Sequence, residues 1–600
     1  MKGHLRLADL AFLSDCRSGA LVDRRGAVVW WCPDRFDADA WFARVLGRKG
    51  GIWALTPTDL RETRRAYRTD TLVLETTFVT GSGVVELTEG LLFAQGARGH
   101  DIGLESPGAL ARSLRCVDGV VEIEHRFEPR SAYGLVTPPL EQDGLVVRAQ
   151  GSATSLALVG AEGLEDQGSG AGCTLTLRAG DRRDFTCAIA PAEGSTPPID
   201  ARTALEDTCL GWRSWTELHE RPEGLLSDEI AFSVRVLQGL TYQQTGAVLA
   251  APVTSLPEVV GGDANWDYRY AWLRDSSLVI HALQRATCAD ESTRYLKWMT
   301  RVAYDGESEG DTPALFGVAG ERLLHESTLE HLEGYADSGP VRIGNGAWNQ
   351  RQLDVYGHIL DAASAYEEER ELEPPVQRFL CQLASRAAGT WREPDHGIWE
   401  ERGEPRHHTS SKLQCWQALQ KALDLGAKLG PGADPATWER ERDAVRAWLE
   451  GVWDDDRGRF PAWPGSDEID ASMLLFVVTR FLDPADPHAA AVVEAVETEL
   501  GREGLLVRSS SSEDGAFLLC SCWLVQALVT IGEVERAEET LERVASCAND
   551  VGLLPEEIDP DTREALGNVP LAISHAGLVA AATAVQAARD ERHGAEAGAV

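Results

Sequence analysis

The hydrophobic period of this chain changes once, near residue 202, and that switch most narrows what the chain can fold into. Upstream the pattern has period two. Leu72, Leu74, Thr76 and Phe78 fall on one face of a segment, and Val121, Ile123, His125 and Phe127 on one face of another before Pro129. Short runs at 145–147 and 174–177 continue the pattern, with glycine-rich punctuation at 81–83 and 168–172. Alternation with frequent turn signals predicts an antiparallel β-sandwich over 1–200. Next, Ala204–Leu218, carrying Trp212 and Trp215, reads as a linker helix within 201–225. Beyond Pro222 apolar residues recur every three or four positions, as at Leu353, Tyr356, Ile359, Leu360, Ala363 and Tyr366. About twelve such stretches predict helices, among them 409–429, 468–482 and 516–531. Their joins alternate between short and long, the long ones being 244–272, 306–349, 393–408, 503–515 and 549–569. Six helical hairpins closed into a ring over 226–600, with the long loops on one rim, fit that alternation. An open solenoid or two bundles are the alternatives, and no strict repeat supports a solenoid. Long loops in a compact domain are where function concentrates.

At 600 residues the chain is too long for one core. Its net charge of −38, with lysine only at 2, 49, 297, 412, 421 and 428, argues against nucleic acid or an anionic membrane as partner. Twelve cysteines without CxxC pairs point to a reduced compartment, with Cys520 and Cys522 as buried thiols. Residues 1–18 hold no continuous apolar stretch, and no run approaches 18 apolar residues. The expectation is a cytoplasmic protein without a membrane span.

Four stretches carry candidate chemistry. In Trp399-Glu400-Glu401, adjacent acids repel and an indole lowers the local dielectric. Both effects raise a carboxyl pKa, which suits a proton donor; a solvated turn is the plain alternative. Asn265–Asp275 (NWDYRYAWLRD) gathers aromatic faces that stack on sugar C–H surfaces and an Arg274–Asp275 pair that suits hydroxyls, or forms a structural ion pair. Gly339–Asn345 holds a glycine-bracketed Arg342, which a structural turn explains equally. Gly552–Asp559 brings a second adjacent pair, Glu556-Glu557, onto the same predicted rim. Glycosidic hydrolysis needs two carboxyl groups, one to protonate the leaving oxygen and one to attack or to activate water. No GxSxG elbow, HExxH or phosphate loop occurs, so neither serine-triad chemistry nor a metal or cofactor is expected.

At these residues the chain resembles glycoside hydrolase family 15, the glucoamylase family, in its prokaryotic two-domain form. The likeness runs from Ser14–Val22 and Pro33–Asp37 through Ala251–Glu258, NWDYRYAWLRD (265–275), PVRIGN (340–345), QLDVYG (352–357), GIWEERGEPRHHT (397–409) and CSCWL (520–524). It ends with GLLPEEIDP (552–560) and GNVPLAISH (567–575). The resemblance implies a β-sandwich followed by an (α/α)6 barrel and inverting hydrolysis of a terminal α-glucosyl residue. It implies Glu400 as general acid, Glu556 as general base and Glu401 as a sugar ligand. Trp272, Arg274 and Asp275 map to ligands of the non-reducing-end glucose, Tyr268 to a hydroxyl near the attacking water, and Trp399 is expected among the substrate-binding residues. Arg342 and Arg508 match more loosely. Ala264 and Gly339 stand where relatives often have Arg, and Leu571 departs from the family pattern as well. Inversion places the two carboxyls roughly 6.5–9.5 Å apart. The expected substrate is a short α-1,4- or α-1,6-glucoside. The alternatives are a cytosolic α,α-trehalase, a phosphorylase sharing the plan, and a glucan-binding protein without turnover. Oligomeric state is left open.

Overall fold

The computed structural model describes residues 5–151, 154–190, 199–285, 289–304 and 312–598. Fourteen antiparallel strands form the N-terminal unit: β1 (Ala11–Ser14), β2 (Gly19–Val22), β3 (Ala27–Trp31), β4 (Ile52–Pro57), β5 (Leu60–Tyr67), β6 (Leu74–Thr80), β7 (Gly83–Leu91), β8 (Ala109–Glu128), β9 (Leu140–Asp143), β10 (Val146–Gln150), β11 (Ser155–Val159), β12 (Glu165–Asp166), β13 (Ala171–Arg178) and β14 (Arg182–Ala190). The alternation at 121–127 is only the second half of β8, whose 20 residues serve two sheets. Its first half pairs with β7 and β14, and its second half with β4 and β13. Apolar side chains from both sheets, such as Trp53, Phe127, Phe78 and Leu114, fill the layer between them.

Helix α1 (Ala201–Thr216) is started by Asp200, whose carboxylate accepts the N–H groups of Arg202 and Thr203. It is not a free linker. Trp212 and Trp215 are buried, and the helix lies against β8 and β14.

Twelve further helices follow as outer–inner pairs: α2 (Ser227–Gly239) and α3 (Leu273–Arg285), α4 (Ala289–Ala303) and α5 (Asp354–Glu369), α6 (Pro374–Thr390) and α7 (Thr409–Leu425), α8 (Pro435–Glu450) and α9 (Leu475–Val478), α10 (Pro487–Leu500) and α11 (Leu518–Thr530), α12 (Val534–Ala545) and α13 (Ala572–Gly598). Helix α3 packs on α5, α5 on α7, α7 on the segment around α9, that segment on α11, α11 on α13, and α13 back on α3, so the ring closes. Residue pattern decides which helix goes where. In α11, LLCSCWLVQALVT, nearly every side chain is buried, Cys520 and Cys522 among them. Helix α12 buries only the stripe Val534, Ala537, Thr540, Leu541 and Val544, so it fits the outer layer.

The expected helix over 468–482 is the main departure. Asp470 accepts the Ser472 N–H at 2.7 Å and starts a 3₁₀ turn at Ala471–Leu474. Helix α9 then stops before Arg480, which lies in the left-handed region at φ 59°. This short inner helix adds a sixth long loop, 451–470, to the five expected.

All the long loops lead into the N-terminal ends of inner helices, so they share one rim. The sandwich braces that rim. Trp30 Nε1 donates to Pro252 O at 2.8 Å. Arg269, ion-paired with Asp267, also donates to Ala38 O and Tyr133 Oη, both at 2.9 Å. Among the described residues no helix is long and apolar enough to cross a membrane.

Candidate active site

A cavity of about 520 Å³ opens on this rim, over the N-terminal ends of the inner helices. Three loop segments supply its chemistry. In the first, Ala250 and Ala251 donate their N–H groups to Tyr270 and Tyr268, and Ala271–Trp272 pairs with Leu315–Phe316. The extended backbone turns Arg269 toward the sandwich and Tyr268 and Trp272 into the cavity, their rings edge to face at 5.5 Å. Trp272 Nε1 is buried without a partner, a donor available to a ligand oxygen.

The second segment is a pinched loop. Asp395 and Arg406 exchange both backbone hydrogen bonds, at 2.8 and 2.7 Å. The buried Asp395 carboxylate accepts from Leu353 N, Gly397 N and Ser411 Oγ. At the tip Glu400 sits at φ 60°, a strained conformation for a side chain of its size, and strain of this kind persists where surrounding contacts over-determine it. Arg274 Nη2 donates to Glu400 Oε1 at 3.0 Å, while Arg274 Nε donates to Asp275 at 3.0 Å. Glu401 turns elsewhere, 3.5 Å from Arg406 and 4.0 Å from His408. The nearest charged partner of Glu400 is therefore a cation, not its acidic neighbour, and the expected mutual repulsion of the pair is not what organises this loop. Trp399 packs against Phe517 and Trp523, at 5.7 and 6.0 Å.

The third segment places Glu556. Its backbone N–H donates to Asn568 O at 3.2 Å, its carbonyl accepts the Leu518 N–H at 3.2 Å, and its Oε2 accepts the Asn568 N–H at 3.0 Å. Gly567, at φ 70°, leaves the space the carboxylate occupies. A Cβ there would stand 2.5 Å from Glu556 Cβ and 2.9 Å from its carboxyl carbon. Glu556 is 1% exposed. Burial, then the nearby Glu258 carboxylate, push its pKa up to about 8, against Arg508, the Asn568 N–H and the Tyr268 hydroxyl. Glu557 beside it is also held well above the usual carboxylate range, by burial and then by Glu258, Glu556 and Asp514 against Arg508, so strongly raised acids sit together in this loop. Tyr268 is held well above the usual phenol range by burial and by Glu556, Glu258 and Glu400.

Arg508 lines the cavity, but its guanidinium is committed to carboxylates. It pairs with Glu258 and Asp514 and stands 3.6 Å from Glu557. Those three acids are the set among the described residues with spacing that a cation could use, and the guanidinium already lies among them. Glu557 is tied further by the Gly515 N–H at 2.9 Å.

Nine of the ten expected site residues line the cavity; the exception is Arg342. Its guanidinium lies 4.3 Å from the centre of the Trp266 ring, as does that of Arg402, and both arginines pair with Glu326. Arg342 thus stiffens a wall residue from behind. Of the departures from the family pattern, Ala264 lines the cavity, Gly339 has room for a Cβ with Glu333 O 3.8 Å from it, and Leu571 is buried in the core. Sequence reasoning passed over Glu258, Trp266, Trp463 and Asp470, all in the lining. Glu258 and Trp266 stand inside quoted motifs, yet nothing local distinguishes a buried acid there from a surface one. His575 accepts from Leu554 N at 3.1 Å and meets Ser233 Oγ at 3.0 Å, so it is a neutral core residue.

The profile described as glycosyl hydrolases family 15 matches residues 228–583, and a trehalase-like N-terminal profile matches residues 3–169. The chain belongs to glycoside hydrolase family 15 and is an α-glucoside hydrolase. Among its relatives, "Trehalase" of Mycolicibacterium smegmatis is 36% identical, covering 98% of this chain and 92% of that one. "Trehalase" of Mycobacterium tuberculosis is 36% identical over 98% of this chain and 90% of the other. A solved bacterial glucoamylase complexed with acarbose superposes with a TM-score of 0.67 over 97% of this chain and 94% of that chain. At 13% identity it establishes the shared fold.

Proposed function

We propose that the protein is an inverting α,α-trehalase. One observation carries this reading above the short-glucoside hydrolase expected from sequence: end-to-end similarity to proteins named trehalase, at 36% identity. The cavity is compatible with it: Trp266, clamped by two arginines, and Trp463, under Arg406 at 4.4 Å, give its lining two fixed aromatic faces on which sugar rings can stack.

In the proposed reaction one glucosyl ring rests against Trp272 and Tyr268, with hydroxyls on Arg274 and Asp275. Arg274 engages Glu400 Oε1, leaving Oε2 to carry the proton. Glu400 donates that proton to the bridging oxygen as the C1–O bond breaks. Glu556, as the anion, takes a proton from a water that attacks C1 on the opposite face. Its Oε1 is buried without a close partner and is the oxygen such a water would meet. The attacked glucose leaves as the β anomer and the leaving glucose as α.

Rates on trehalose, maltose, isomaltose and maltotriose test the assignment. Trehalose should be cleaved at least about tenfold faster than the others, a specificity difference of ~1.4 kcal/mol. Faster cleavage of maltose or isomaltose would overturn it.

A further inference from the structure

A second cavity, of about 410 Å³, lies along the barrel axis beyond the catalytic one, and every inner helix contributes to its wall. Its lining repeats at helical spacing, with His358 and Asp361 from α5 and Gln414, Gln417 and Lys421 from α7. Gln284 comes from α3, and the cavity reaches solvent beside the exposed Glu368, Glu369 and Arg480.

The groups facing it are mostly neutral and unpaired. Both side-chain polar atoms of Gln284 and both of Gln414 lack a hydrogen-bond partner, as do Gln417 Oε1 and His358 Nε2. Gln414 is fully buried, and Gln284 and Gln417 are more than nine-tenths buried. Gly357 of α5 leaves room for the Gln414 carboxamide, because a Cβ there would clash with its Oε1. Away from the exposed Glu368, Glu369 and Arg480 at its opening, the charges in the wall are already matched. Asp361 stands 2.7 Å from both His281 Nε2 and Lys421 Nζ. Burial keeps His358 uncharged.

Buried unpaired amides in the wall of a cavity cost free energy unless something binds them. Matched charges leave no demand for an ion. Carboxamides present donors and acceptors side by side, which suits hydroxyl groups that both give and accept. We propose that this axial cavity is a second binding site, for a small neutral polyhydroxylated molecule of monosaccharide or polyol type. The site also touches the catalytic one. Leu519 and Trp523 line both cavities, and Trp523 packs on Trp399, next to Glu400. Occupancy would steady the wall behind the proton donor.

The proposal does not depend on the trehalase reading, and its test separates the two. The full chain is crystallised with D-glucose as probe, and D-glucose binding is counted by equilibrium dialysis. One glucose is expected on the axis, hydrogen-bonded by Gln284 and Gln414. Dialysis should show a binding step weakened at least tenfold in Gln284→Leu and, separately, in Gln417→Leu, while both variants still hydrolyse substrate. Failure of the trehalase reading would alter the rim cavity and leave the axial step in place. Only water on the axis at saturating glucose would overturn the proposal. So would glucose there at crystal concentration only, with dialysis unchanged in both variants.

Discussion

Replacing Gly567 with alanine is the smallest change that reaches the proposed base. At φ 70° the backbone already disfavours any Cβ, by about 1–2 kcal/mol. The new carbon would also fall 2.5 Å from Glu556 Cβ and 2.9 Å from its carboxyl carbon, so one of them must move. Overpacking of this kind costs about 1–3 kcal/mol, giving a total destabilisation of about 2–5 kcal/mol. Glu556 has little freedom to yield sideways, because its backbone is pinned by Asn568 O at its N–H and by the Leu518 N–H at its carbonyl. A carboxylate displaced by ~1 Å from its water loses on the order of a hundredfold in rate, or about 2.7 kcal/mol. The assay is steady-state glucose release, read beside a thermal melt. The expected result is a folded protein with a lowered melting temperature and a kcat down by about two orders of magnitude. A kcat within about threefold of wild type for the folded fraction would refute the reasoning, since Glu556 would then tolerate a shift that general-base catalysis does not.

Glu400→Gln and Glu556→Gln should each lower kcat by about 10²- to 10⁴-fold while circular dichroism stays unchanged; turnover near wild type in both would remove the acid–base pair. As the proposed base, Glu556 works as an anion; with its pKa raised to about 8, the ionised fraction grows as pH rises toward 8, and kcat/KM should climb with it for as long as Glu400 keeps its proton. Glu258→Gln deletes the carboxylate that is the main charge raising it, so the acid limb should move to lower pH by about one unit, or ~1.4 kcal/mol. A limb that stays put or moves up would contradict that electrostatic assignment. Arg342→Leu strips one guanidinium from Trp266 and should raise KM by about three- to tenfold with little change in kcat, from the loss of ~0.5–1.5 kcal/mol of wall stiffening. A kcat loss larger than the KM change would instead make Arg342 a substrate contact.

Much of this architecture is written in the spacing of apolar residues. The period of 3.6 announces the barrel helices, because a helix that packs on one side repeats its buried face whatever its partners are. The pattern misleads where tertiary geometry overrules it. The run at 468–482 is apolar enough for a long helix, yet the Asp470 cap and the left-handed Arg480 cut it to one 3₁₀ turn and one α turn. At β8 the visible alternation marks only one of the two sheets it serves, since residues 109–119 pair in a different sheet and begin with a continuous buried run, 109–114. The site divides in the same way. The two Glu pairs and the aromatic motif carry their identity in sequence, and the fold brings them to one cavity. That Glu556 has a raised pKa was not legible, because it depends first on burial and then on Glu258 and Arg508, 298 and 48 positions away along the chain. The same holds for Arg342, whose place behind Trp266 follows from loop packing and not from its own motif.

The anomeric state of the first glucose released from trehalose tests the central claim most directly. Proton NMR in the first minutes of turnover, before mutarotation, should show α- and β-glucose appearing in equal amounts. Glu400 would then have protonated a leaving α-glucose while Glu556 delivered water from the far side. Release of α-glucose alone would mean that configuration is retained, and Glu556 could not then be the general base.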